Sequence, residues 1–319
     1  MRLGRPKYPA RRLRGFTLIE MVIAIVLVSI IVATTIFFVY PVRQAADLAT
    51  RAELTDIADN ALQRIGREVR LALPNSVRRD GSHLFLEFIP LRNAGRYRAD
   101  VGGLASGSNC PDTGIGQPDS DQLSFNPVVD TCFKTIGAVA STITTTITTS
   151  DFLVLNNYGP GFTGQNAYDT SGTLNRRQIS AAADEGTRER ISFTSATAFD
   201  RTLHDSPGKR FYVVVGNTLT VLPEPVTYEC SPAPAGGTLT RRWGYSMLTA
   251  QPTLPAQFAG GNATLIAGDV TDCDFDYDPN GVAPQVGLLT LRLTLSRTLS
   301  GGETETVSLY HAVHVSNVP

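Results

Sequence analysis

Histidine, methionine and tryptophan are scarce in this chain, at four, three and one of 319 residues, and the motifs that put such residues to chemical use are missing. His83, His204, His311 and His314 form no H-E-x-x-H pair and no zinc spacing, and there is neither a G-x-S-x-G elbow nor a P-loop. The residues point away from an enzyme, and no cofactor is expected. The four cysteines, Cys110, Cys132, Cys230 and Cys273, include no C-x-x-C pair, which excludes thioredoxin-like and zinc-ribbon chemistry. An even number of widely spaced cysteines in an exported domain reads as disulfides, and the shorter loops favour Cys110 with Cys132 and Cys230 with Cys273. Acid is absent before Gly15, where Arg2, Arg5, Lys7, Arg11, Arg12 and Arg14 hold six of the 28 basic residues. The rest of the chain has 22 basic against 29 acidic residues, too acidic for a phosphate backbone, so nucleic acid is not an expected partner.

Charge is also missing from Met21 to Tyr40, and Glu20 is the only charged residue between Phe16 and Tyr40. At 1.5 Å per residue such a run spans roughly the 30 Å of a bilayer's hydrocarbon core, so residues 16–40 read as a transmembrane helix. Basic residues before it are expected to stay cytoplasmic, which places the rest of the chain on the outer side of the membrane. An ordinary secretory signal fits poorly, because its apolar region is shorter and Ala33-Thr34-Thr35 makes a weak cleavage site inside this one. Beyond Pro41, apolar residues recur at Ala45, Leu48, Ala52, Leu54, Ile57, Ala58, Ala61, Leu62, Ile65, Val69, Ala72 and Leu73 in steps dominated by three and four. That period predicts an amphipathic helix over residues 41–74, stopped by Pro74-Asn75-Ser76.

At the head of the apolar run, Arg14-Gly15-Phe16-Thr17-Leu18-Ile19-Glu20 resembles the G-F-T-L-[IV]-E signature of type IV pilins and type II secretion pseudopilins. The resemblance implies a leader, residues 1–15, removed after Gly15 by a prepilin peptidase that also methylates the new amino terminus at Phe16. A residue without Cβ lets a protease approach the backbone closely. It further implies that Glu20, whose carboxylate costs about 2.5–3.5 kcal/mol at the centre of an apolar helix and less near its end, pairs with the amino terminus of a neighbouring subunit. Partners implied in the same way are other major and minor pilins, an inner-membrane platform protein and an assembly ATPase. The implied location is the bacterial inner membrane, crossed once with the carboxyl-terminal domain in the periplasm, and then the fibre or its tip.

Residues 75–319 change to period two. Leu289, Leu291, Leu293 and Leu295 alternate with polar residues, Ser300-Gly301-Gly302-Glu303 turns the chain, and Val307, Leu309, His311, Val313 and Val315 return it. Further strands are expected at 83–89, 152–156, 190–199, 210–215, 218–222 and 226–230, with Gly216-Asn217 as a tight turn. Residues 102–127 and 231–261 read as loops, and the Thr/Ser/Ile repeat at 141–150 as an edge strand or a loop. With no long helical period after Leu73, the expected fold is α+β: a long amino-terminal helix against a mostly antiparallel, β-rich head.

Other patterns in the head are weaker. Gly159-Pro160-Gly161-Phe162-Thr163-Gly164 fits G-x-G-x-x-G but lacks the helix that a dinucleotide site needs after it, and reads as a loop. Asp276, Asp278 and Asn280 match the first half of a calcium loop, but its twelfth place is Gly287 rather than glutamate. The same acids, with Asp272 and Asp274, equally describe the wet face of a strand that turns Cys273, Phe275 and Tyr277 inward. His311 falls on the apolar side of its strand and reads as a core histidine. Size, the 206–214 and 225–230 stretches, the 311–319 ending and the 67–76 segment are similar to large minor pilins of the mannose-sensitive haemagglutinin (MSHA) type. Alternatives are a J-type minor pseudopilin of type II secretion, or a tip adhesin whose Trp243 and Tyr245 would stack on a surface ligand.

Overall fold

The structure, a computed structural model, describes residues 15–99, 110, 122–127, 129–137, 140–141, 146–184, 188–218, 220–234, 236–283, 285–299 and 301–319. Residues 1–14 of the expected leader, most of the 102–127 loop, Ser300 of the last turn and part of the 141–150 repeat lie outside the described residues. Two units divide the chain, Met1–Ala52 and Glu53–Pro319.

In the first unit, helix α1 covers Leu18–Thr34 and is followed by a π-helical stretch, Thr35–Val39, and the start of helix α2, Tyr40–Arg70. Pro41 has no N–H to offer the turn before it, and the π-helical stretch stands directly ahead of that position. Within the apolar run the hydroxyls find acceptors on their own helix: Ser29 Oγ donates to Ile25 O at 2.7 Å, and Thr34 and Thr35 donate to Ile31 O at 2.9 and 2.8 Å.

The second unit is built on two seven-stranded antiparallel sheets, with a small two-stranded one beside them. The first sheet runs Arg78–Arg79, Phe85–Phe88, Val226–Ser231, Gly237–Trp243, Asn262–Ala283, Val286–Thr298, Thr304–Ser316 in spatial order. Residues 53–70 of α2 cover one face of it. Leu54, Ala58, Ala61, Leu62, Ile65 and Val69 recur at the helical period and are buried in one cluster with Phe88, Tyr228, Val270, Phe275, Leu291, Leu293, Val313 and Val315. Gly66 sets the closest approach, since a Cβ there would lie 3.0 Å from His311 Nε2 and 3.1 Å from Val313 Cγ2. His311 is therefore half-buried under the helix, on the side that its alternation predicts. Charges hold the rim: Glu68 pairs with Arg64 at 3.2 Å and with Arg241 of the sheet at 2.8 Å, and Arg297 with Glu53 at 2.9 Å and Asp269 at 2.8 Å.

The last hairpin has the expected register. Leu289 faces Val313, Leu293 faces Leu309, and Cys273, Phe275 and Tyr277 of the neighbouring strand face Leu293, Leu291 and Leu289. Gly302, at φ +86°, supports the turn that returns the chain, where Leu299 N donates to Glu303 O at 2.7 Å.

The second sheet runs Cys132–Lys134, Glu189–Phe193, Arg176–Asp184, Phe152–Leu155, Arg210–Val214, Leu91–Arg96, Ala140–Ser141. Its central strands are buried on both faces. Leu153, Leu155, Phe211 and Val213 join an aromatic cluster with Tyr97, Phe125, Phe133 and Phe193, while Phe152, Val154, Tyr212 and Val214 point the other way, toward Leu73, Ile89 and Tyr168. Burial on both sides explains why these strands read as unbroken apolar runs.

The structure corrects several expectations. Residues 231–261 are not one loop: Gly237–Trp243 is an interior strand, with Leu239 inward and polar neighbours between flanking glycines and prolines. Gly216–Asn217 is not a turn but a short strand paired with Leu222–Pro223, which also removes most of the strand expected at 218–222. A Cβ on Gly216 would lie in the Ser150 backbone, so close chain approach is what demands the glycine. The 190–199 strand ends at Phe193, because Phe199 turns into the aromatic cluster ahead of the short helix α3, Arg201–His204.

Both cysteine pairs are bonded. Cys110 joins Cys132 with Cα atoms 5.5 Å apart, and Cys230 joins Cys273 at 6.6 Å, tying two strands that are not neighbours in the first sheet. Closing a loop with a sequence separation of 43 restricts the unfolded chain by up to about 4 kcal/mol. Replacing both Cys230 and Cys273 by Ser should lower the unfolding free energy by about 2–4 kcal/mol in guanidinium denaturation of the full chain in detergent.

Beneath the same sheet lies an ion pair. Glu87 is fully buried, accepts from Arg78 Nε at 2.6 Å and from Tyr245 Oη at 2.8 Å, and Arg78 also lies 3.6 Å over the Tyr168 ring. Burial pushes the Glu87 carboxyl above its ordinary range, and the Arg78 guanidinium draws it back. Arg78→Met removes the partner and should cost about 3–5 kcal/mol at neutral pH. Since the folded-state pKa of Glu87 is the raised one, the deficit should shrink below the ordinary glutamate pKa of about 4.3 and grow as pH rises through the raised value. Denaturation midpoints of both proteins across that range check the sign.

Candidate functional site at the Gly15 junction

Thr17 starts α1. Its backbone is extended, at φ −82° and ψ 152°, and its Oγ1 accepts from Glu20 N at 3.3 Å, which satisfies one of the orphan donors of the first turn. The spacing Thr17-x-x-Glu20 is that of a capping box, but only the threonine half forms. Glu20 therefore stands in the first turn with a carboxylate that is exposed and has no ion pair among the described residues. A negative charge in that position suits the positive end of the helix dipole. The pilin signature assigns Thr17 no role, although its T-x-x-E spacing is a signal for a cap.

Gly15 and Phe16 precede the helix in open chain, with Phe16 79% exposed and no atom within 4 Å of a Cβ built on Gly15. Such a segment can enter a protease cleft without unwinding helix. The apolar residues beyond it have no core to enter. From Leu18 to Phe37, 20 residues of mean hydropathy 2.6, none is buried, and this is the one helix among the described residues long and apolar enough to cross a membrane. Its length and composition are consistent with membrane anchoring.

The other candidates are ordinary parts of the head. Asp276, Asp278 and Asn280 lie on an extended strand, where acids two residues apart project about 6.6 Å from one another. Asp276 pairs with Arg79 at 3.2 Å, Asp278 accepts from Asn280 N at 2.9 Å, and Arg292 bridges Asp272 at 2.6 Å. Among the described residues no three acids, histidines or cysteines are placed to hold a metal. Tyr245 is 1% exposed and bonded to Glu87, so it offers no stacking surface, and the half-buried Trp243 ring carries Arg241 at 5.0 Å. His204 is buried and its pKa is pushed down to about 4 by that burial; as a neutral ring it accepts from Asp200 N at 3.0 Å and donates to Gly164 O at 2.9 Å. No helix opens after Gly164, in keeping with a loop.

Residues 10–36 match the family described as the prokaryotic N-terminal methylation motif. No curated protein and no solved structure matches the chain. The matched segment contains the open Gly15–Phe16 junction, the Thr17 cap, Glu20 and nearly all of the unburied apolar helix, and it supports a type IV pilin-like prepilin, a pilin or pseudopilin processed by prepilin peptidase and assembled with other pilins.

Proposed function

We propose that this chain is a minor pilin of an MSHA-type pilus, similar to the O-type subunit of that system and acting where the fibre is initiated or at its tip. The carrying observation is the methylation-motif match at residues 10–36, set on a helix whose one acid has no ion pair among the described residues. In this reading the basic leader stays in the cytoplasm, the apolar helix holds the precursor in the inner membrane and the β-rich head stands in the periplasm. Peptidase cuts after Gly15 and methylates Phe16. The amino terminus so produced is positive, and a neighbour's Glu20 meets it inside the apolar fibre, where a charge pair is worth far more than in water. Platform protein and ATPase then draw the subunit out of the bilayer.

Intact-mass spectrometry on protein from its native membrane tests the first step. A chain beginning at Phe16 with one added methyl is expected, and Gly15→Val should remain uncut; residues 1–15 retained in both would sink the proposal. Glu20→Ala separates processing from assembly: it should be cut normally yet be lost from sheared fibres by at least tenfold on immunoblots, and normal incorporation would remove Glu20 from the mechanism.

A further inference from the structure

Among the asparagines of this chain one is followed by glycine, Asn280-Gly281, and it stands near the carboxyl end of the long Asn262–Ala283 strand. The ladder to the next strand pairs Asp278 with Leu288 and then Ala283 with Val286, so residues 279–282 bulge out opposite Gly287 alone. Pro279, Asn280 and Gly281 are exposed. The backbone N–H of Asn280 donates to Asp278 Oδ1 at 2.9 Å, whereas its side-chain amide hydrogen-bonds to no other described residue.

Nearby asparagine amides are held. Asn75, followed by the small Ser76, donates through Nδ2 to Asn157 O at 2.8 Å and Asn317 O at 3.0 Å, and Asn157 and Asn317 donate in turn to Pro74 O at 2.7 Å and Pro279 O at 2.9 Å. Packing demands the glycine at 281, since a Cβ there would lie 2.9 Å from Leu288 Cβ and 3.1 Å from Asp278 Cβ. The fold thus keeps, beside an unheld amide, the one residue type whose backbone nitrogen has no side chain to shield it.

We propose that Asn280 is a site of spontaneous deamidation in the folded head. Gly281 N attacks Asn280 Cγ; the N–Cγ bond forms, the Cγ–Nδ2 bond breaks, and Nδ2 leaves as ammonia with the proton that Gly281 N gives up. Water then opens the cyclic imide at either carbonyl and leaves aspartate or isoaspartate, so that water is the only co-reactant and nothing is oxidised or reduced. The local turn that ring closure demands falls where the strand pairing is already interrupted. The product is a new negative charge. Asn280 lines a pocket of about 490 Å³ together with Arg79, whose Nε has no hydrogen-bond partner although Asp276 lies 3.2 Å away, so the reaction places a carboxylate in the same cavity as that guanidinium. Leader cleavage and fibre entry play no part in this chemistry, and either proposal can fail alone.

Purified full-length protein in detergent is kept for days in heavy-oxygen water at mildly alkaline and at mildly acidic pH, with a guanidinium-unfolded sample alongside, then digested in acid and mapped by liquid chromatography and mass spectrometry. In the folded protein the Asn280 peptide is expected to split into the amide and two labelled acids, isoaspartate the larger. Its rate should be at least tenfold above that of any other asparagine peptide, and higher at alkaline pH, where more of the attacking amide is deprotonated. Asn280→Asp marks the aspartate peak. Asn280→Gln, whose ring closes more slowly, should lose both acids over the same period while the melting temperature stays unchanged, since the side chain is exposed. An amide still intact at the end, a rate matched by other asparagines, acid formed only in the unfolded sample, or aspartate without isoaspartate would each overturn the proposal.

Discussion

The head depends on one contact, the apolar stripe of α2 from Leu54 to Val69 laid on the first sheet. Six buried residues at helical spacing meet strands from both ends of the domain, and each fully buried aliphatic side chain contributes about 1.5–3 kcal/mol. The polar features depend on that closeness. Gly66 is needed where helix and strand nearly touch, and Glu68 and Glu53 are positioned to reach Arg241 and Arg297.

α1 obeys a different constraint. Its surface is as apolar as the stripe of α2 but runs all the way round, and its hydroxyls and backbone are satisfied internally, which is the solution demanded by a solvent with no hydrogen bonds to give. Glu20 is the single departure. The threonine side of its cap forms, its carboxylate has no ion pair among the described residues, and its charge suits the positive end of the helix dipole.

Much of this fold is legible in the sequence because it repeats. The charge-free run is marked by composition, and the stripe of α2 and the leucine alternation of the last hairpin each carry a period; the helix is where its stripe puts it but ends at Arg70, ahead of the expected stop at Pro74. Phe152–Leu155 and Arg210–Val214 are covered on both faces, so they show no alternation and are readable only as short apolar runs. Gly237–Trp243 offers neither signal, being polar at alternate places and set among the glycines and prolines that ordinarily mark loops. A pocket lined by Asn75, Tyr158, Tyr277 and Asn317 is out of reach for another reason: the fold brings these residues together from across most of the chain, and no spacing records their meeting. The acids at 272–278 are ambiguous until their partners are known, and Arg79, Arg292 and His83 supply them.

The pairing of early and late residues bears on how the domain is made. Glu53 is joined to Arg297 across 244 positions, and Asn75 to Asn317 across 242. Closing loops of that length is slow, and a fold dominated by such contacts has a high contact order. The stripe of α2 stays only partly covered until the last hairpin, with Leu291, Leu293, Val313 and Val315, has emerged, so the nascent head passes through a stage in which part of its core is exposed. Completing the head therefore waits on the last strands to be made, and the residues that close its core are the last to leave the ribosome.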